Sequence, residues 1–160
     1  MTQDFHVAPA SALHPGMELL RTEAINEGFL FVDRLVRDWR SGSNRFDLPG
    51  EQLLGAFTGE TLIGVGGLNR DPYLDQAGIG RLRHLYVREC ARRHGVASAL
   101  VRRLLDEASN SFRIVRLRTA TGEAAAFYLR HGFVPVRDET ASHATALPPH
   151  EPQFLPGANS

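Results

Sequence analysis

Residues 80–109 read GRLRHLYVRECARRHGVASALVRRLLDEAS, and the fold turns on this stretch. Arg81 to Val87 is rich in branched and aromatic types, and its side chains alternate in direction, which suits a partly buried strand. Taken back to Ile79, it is the expected central strand. Arg88 to His94 is polar and follows neither period. From Val96 to Ser109 the apolar residues fall at Ala97, Leu100, Val101, Leu104, Leu105 and Ala108, with Arg102, Arg103, Asp106 and Glu107 opposite. That is one face of an amphipathic helix. Strand, turn and helix therefore meet at Arg92-Arg93-His94-Gly95. The first amides of a helix have no internal acceptor and carry positive potential. Gly95 lets a ligand approach the backbone closely. The turn reads as a cradle for an anion such as a pyrophosphate.

Upstream, Thr61–Leu68 and Leu53–Phe57 are apolar runs joined by Thr58-Gly59-Glu60, a predicted β-hairpin. Gly64, Gly66 and Gly67 leave room for a bulge or a close approach. Two helical patterns precede it. The first opens at Pro15-Gly16 and places Met17, Leu20, Ala24 and Gly28 on one face; the second places Phe29, Val32, Leu35, Val36 and Trp39 together and stops at Ser41–Asn44. Phe5–Val7 is a short first strand. Asn69–Gly78 is a loop carrying Asp71, Tyr73 and Asp75, read either as solvent-exposed or as a border of a binding pocket. Downstream, Arg113–Thr119 reads as a strand whose arginines are solvated or salt-bridged. Thr121–Arg130 is a short helix capped by Thr121, with Glu123 in its first turn and Gly132 as its stop. Phe133–Val136 and Ser142–Leu147 are the last strands. Pro148–Ser160 holds four prolines and reads as an extended or mobile tail. The expected fold class is mixed α/β, one domain over residues 1–147. Its sheet is mostly antiparallel, with a parallel crossover at the central strand.

Arg92-x-x-Gly95-x-Ala97, after a strand ending Leu85-Tyr86-Val87, resembles the acyl-CoA signature of the GNAT N-acetyltransferase superfamily. A second block at the matching distance, Ala124-x-x-Phe127-Tyr128-x-x-x-Gly132-Phe133, strengthens the resemblance, which is good over Leu53–Val136. The resemblance implies a sheet whose middle strands splay apart, acetyl-CoA as cosubstrate, and direct transfer to a primary amine of a small molecule or protein, the partner being a small-molecule or peptide amine. It implies that the backbone of Leu85 and Val87 pairs with the pantetheine and the acetyl carbonyl. The pyrophosphate is expected on the amides of Arg92, Arg93, His94, Gly95, Val96 and Ala97, with the Ser98 hydroxyl beside it. Thr121, Ala124 and Phe127 are expected along the pantetheine arm, and Tyr128 near the sulfur as general acid to the leaving thiolate. Thr121 stands where many members carry asparagine. Arg81 stands where histone-type members place a glutamate base, so the sequence identifies no base. A non-catalytic acyl-CoA-binding module is the alternative reading.

Composition removes other chemistries. Every one of the 18 basic residues is arginine, which excludes a phosphate-loop lysine and a Schiff base. The single cysteine, Cys90, excludes an internal disulfide and a cysteine-based zinc site, and no metal is expected. Net charge is zero, so nothing draws the chain toward nucleic acid or a membrane surface, and no run is long enough to span one. No secretory pattern opens the sequence, so a cytoplasmic protein is expected, with the C-terminal strand free to pair across a homodimer. His84, on the strand, is expected to be structural.

Overall fold

The expected central strand, β4 (Ile79–Val87), lies in the middle of a seven-stranded sheet in the computed structural model of the chain, which describes residues 4–149. In chain order the elements are β1 (His6–Pro9), α1 (Met17–Asn26), α2 (Phe31–Ser41), β2 (Gln52–Thr58), β3 (Thr61–Arg70), β4, α3 (Val96–Ala108), β5 (Ile114–Leu117), α4 (Gly122–Arg130), β6 (Val134–Pro135) and β7 (His143–Ala146). The sheet order is β1-β2-β3-β4-β5-β7-β6; only β4 and β5 run parallel. Part of the expected tail, from residue 150 onward, lies outside the described residues.

Each helix buries the stripe its sequence predicts. Met17, Leu20 and Ala24 of α1 and Val32, Leu35 and Val36 of α2 cover one face of the sheet with Val65 and Tyr86. Val96, Leu100, Val101 and Leu104 of α3 cover the other face with Leu54, Leu68 and Leu82. The helix α1 stops before Gly28, which takes a φ of 91°, and α2 starts at Phe31, two residues later than the apolar pattern suggests.

Two features of β4 shape the rest. The first is a bulge: Gly67 pairs with Arg83 and Val65 with Tyr86, so Gly66 alone faces His84 and Leu85. Two residues against one turn the strand and reset its alternation. His84 takes the left-handed conformation, φ 60°, at this point. Gly67 has to be glycine here, because a Cβ would lie 2.7 Å from the Phe46 ring. The second feature is the splay. β4 pairs with β5 only at Ile79, Gly80 and Arg81, opposite Ile114, Val115 and Arg116. From Leu82 to Val87, β4 has no partner on that side. β5 accordingly ends at Leu117, short of the Thr119 its sequence predicts.

The junction holds a charge cluster. Asp71, its side chain fully buried, lies 3.5 Å from Arg81 Nη1 and 3.2 Å from Arg116 Nη1. Arg116 also donates to Asp138 (2.9 Å) and Thr140 (2.6 Å). The Asp71 amide donates to the Ile79 carbonyl, so β3 continues to Arg70; the Asp71 side chain is buried, and the loop that follows is mostly exposed. Asp71 is thus a structural anion, closed off from any base role.

Candidate active site

The splay opens into a cleft of about 1540 Å³ bounded by β4, the turn before α3, the end of β5, α4 and the α1–α2 junction. Of the residues singled out in the sequence, Leu85, Val87, Arg92, Arg93, Gly95, Val96, Ala97, Ser98, Thr121, Ala124, Phe127 and Tyr128 line it. His94 does not; it is exposed beside the turn.

One wall is the open edge of β4. The Arg88 amide donates to the Ile63 carbonyl of β3 at 2.9 Å. Backbone direction alternates along a strand, so the polar groups of Val87 face the gap, and those of Leu85 with them. The Val87 carbonyl already accepts from Arg92 Nε at 3.0 Å. Its amide remains turned toward the cleft.

At the end of that edge sits the turn. A single 3-10 turn (Glu89–Ala91) leads to Arg93 (φ 68°) and Gly95 (φ 81°), and α3 then starts with no side-chain cap. An uncapped helix start leaves its first amides for a ligand. A Cβ on Gly95 would meet nothing within 4 Å, so the backbone itself is the surface there.

The side chains around the turn are more committed than the sequence suggests. Arg92 is held by Glu27, at 2.6 Å and 3.0 Å, and lies over the Tyr86 ring at 5.5 Å. The Tyr86 hydroxyl donates to the same Glu27 carboxylate. Arg92 first, then Tyr86, hold the Glu27 carboxyl below the usual range, and burial with this carboxylate raises the Tyr86 phenol. Glu27 precedes Arg92 by 65 residues, and no local pattern marks it. The Ser98 hydroxyl lies 3.0 Å from His131 Nε2, joining α3 to the end of α4. Thr121 caps α4, its Oγ1 accepting from the Ala124 amide at 3.2 Å. The hydroxyl proton of Thr121 is left over.

Tyr128 is buried between Phe127 and Phe133, whose rings stand edge-on at 5.1 Å and 5.5 Å. Its hydroxyl has no hydrogen-bond partner among the described residues, and burial raises its phenol above the ordinary value. His84 is different. Its Nδ1 lies 2.8 Å from the Phe31 carbonyl, and burial with the neighbouring Arg83 charge lowers its pKa to about 3. A neutral ring donating from Nδ1 ties the bulge to the start of α2. Among the described residues no group of three or more acidic, histidine or cysteine side chains is placed to hold a metal, and no helix is long and apolar enough to cross a membrane.

The family model for the acetyltransferase (GNAT) domain matches residues 49–135. The fold is similar to a solved structure from Exiguobacterium sp. 255-15, at 28% identity, 89% of this chain, 93% of that one and a TM-score of 0.79. It is also similar to an acetyltransferase of GNAT family from Staphylococcus aureus Mu50 (15% identity, 91% and 100% covered, TM-score 0.70). An acetyltransferase from Streptococcus agalactiae 2603 stands at 17% identity, 91% and 99% covered, TM-score 0.70. No curated protein matches the sequence.

Proposed function

The chain belongs to the GNAT acetyltransferase family, and we propose that it moves an acetyl group directly from the thioester of acetyl-CoA to a primary amine of a small molecule or peptide. One observation carries this reading: an unpaired strand edge, Leu82–Val87, runs into an uncapped helix start at Gly95. The pair suits a ligand with a strand-like amide arm and a pyrophosphate at its end. Leu85 holds the arm by backbone hydrogen bonds, and Val87 turns its amide to the acetyl carbonyl. Gly95, Val96 and Ala97 offer amides to the diphosphate, and Arg93 adds charge. Arg92 works through the backbone, pinning the Val87 carbonyl and the turn.

Bound acetyl-CoA supplies an activated carbonyl carbon. The protein's part is to orient it, to favour the charge that grows on the carbonyl oxygen, and to receive the thiolate. The Val87 amide faces the gap and is the donor for that oxygen. Tyr128 is the acid. Burial keeps its proton in place at neutral pH, and its hydroxyl has no competing acceptor. Asp71 is sealed between two arginines and is not the base; the amine attacks as its free base, and the proton its nitrogen sheds on forming the amide passes to water.

The test is release of CoA thiol from acetyl-CoA over a panel of amines, run beside Tyr128→Phe. Loss of a general acid lowers kcat by roughly 10²-fold or more while acetyl-CoA affinity holds. A Tyr128→Phe variant as fast as the parent removes Tyr128 from the mechanism. Acetyl-CoA binding with no turnover on any amine favours the non-catalytic module instead.

A further inference from the structure

The cleft has a second half, beyond the acetyl-transfer wall, with a charge pattern of its own. Its surface comes from the α1–α2 junction and from the α2-facing side of β4. The bulge creates that side: without it Arg83 and Tyr86, three residues apart, would point to opposite faces. With it, Arg81, Arg83 and Tyr86 share one face, opposite Phe31 and Arg34 of α2.

Among the arginines on and beside this half of the cleft, three are already paired. Arg81 has Asp71, Arg92 has Glu27, and Arg37 has Asp33 at 3.5 Å. Arg83 and Arg34 have no acceptor for their guanidinium groups among the described residues. Arg83 is half-buried, and its environment disfavours its charge, through burial first and then through Arg81 and Arg34; Tyr73 and Asp38 act the other way, and Asp38 stays beyond ion-pair distance. A half-buried cation with cationic neighbours is destabilising unless an anion arrives. Surface arginines of this kind normally find a carboxylate or turn to water. Here Arg34 is exposed at the mouth and Arg83 half-buried behind it, and both line the amine side of the cleft.

We propose that the amine acceptor carries an oxyanion, a carboxylate or a phosphate, held by Arg83 and Arg34. This rests on the acetyltransferase reading above and adds the substrate class to it. Guanidinium groups bind such oxygens with charge-assisted and often paired hydrogen bonds. Polyamines and other purely cationic acceptors are repelled at this wall.

The experiment compares matched acceptors. L-leucine and L-phenylalanine are run against their amides, and O-phosphoethanolamine against ethanolamine, with thiol release as the readout in the parent, Arg83→Gln and Arg34→Gln proteins. The expected result is a kcat/KM preference for the anionic member of at least one pair, and a fall of that ratio by roughly ten- to a hundredfold in Arg83→Gln. The pair that shows it tells carboxylate from phosphate. Equal or better use of the uncharged members by the parent overturns the proposal, and so does a ratio unmoved in both variants. Failure of acetyl transfer itself looks different: no thiol appears with any amine. Calorimetry then decides, with N-acetyl-L-phenylalanine and O-phosphoethanolamine against N-acetyl-L-phenylalaninamide and ethanolamine. Tighter binding of an anion that depends on Arg83 sustains the site, and its absence ends it.

Discussion

Single residues in this protein are read correctly only with their distant partners. His84 is the clearest case. It packs on a strand, as its sequence position suggests, but it also holds the left-handed turn of a bulge and donates to Phe31. Its folded pKa, about 3, lies below the ordinary 6.5, so between those values the unfolded chain binds the extra proton. The stability it contributes is complete above pH 6.5 and is lost as the pH falls toward 3. His84→Asn keeps a residue that tolerates positive φ and keeps a donor, while removing the titration. The difference in Tm between pH 7 and pH 5 is expected to be smaller in that variant, by scanning calorimetry. An unchanged difference places the acid sensitivity elsewhere. Arg92 shows the limit of motif reading. The motif marks it beside a phosphate cradle, and the fold gives its guanidinium to Glu27 and Val87. Nothing within 60 residues of Arg92 announces Glu27, because an ion pair between distant segments leaves no periodic trace.

At the scale of elements, the sequence was most legible where one face is buried. The stripes of α1, α2 and α3 and the apolar runs of β2 and β3, covered on both faces, follow burial, and each of these elements forms where its pattern lies. Ends were less legible. β5 is cut short because β4 leaves it, and a partner's departure is not written in β5's own residues. The bulge was only half visible: three glycines mark β3, and the residue that bulges is on β4. The Asp71 cluster was invisible as a cluster: Arg116 was expected to be solvated or paired, and Arg81 carried no such expectation. It is the one charged stitch where β4 and β5 still touch. Replacing Asp71 leaves Arg81 and Arg116 facing each other in a buried site. Asp71→Ala is expected to cost about 3–5 kcal/mol in denaturant unfolding. A cost under about 1 kcal/mol, the range of surface pairs, means that water reaches the arginines and the junction is loose.

For the whole molecule, the fold divides labour between the two sides of one gap. The α3 and α4 side offers amides, a glycine turn and a buried phenol. The α1–α2 side offers aromatic rings and two cations with no acceptor. Family and fold class were readable from two spaced blocks, because a backbone-built cradle needs little more than glycine and a helix start. The acceptor's identity was not readable, and of its proposed wall only the Tyr73 loop was. The wall's residues come from Leu30, Arg34, Tyr73 and Arg83, which only the folded chain brings together.

The open stretch of β4 has one more consequence. Every other strand in this sheet is paired along its core or sits at the rim, whereas Leu82–Val87 is an unsatisfied edge in the centre. An edge of that kind is a template for any extended chain that can reach it. The ligand-free protein therefore carries its own aggregation hazard, and occupancy of the cleft is its protection. Light scattering just below the unfolding midpoint is expected to rise faster without acetyl-CoA than with it, and faster than the difference in Tm alone accounts for.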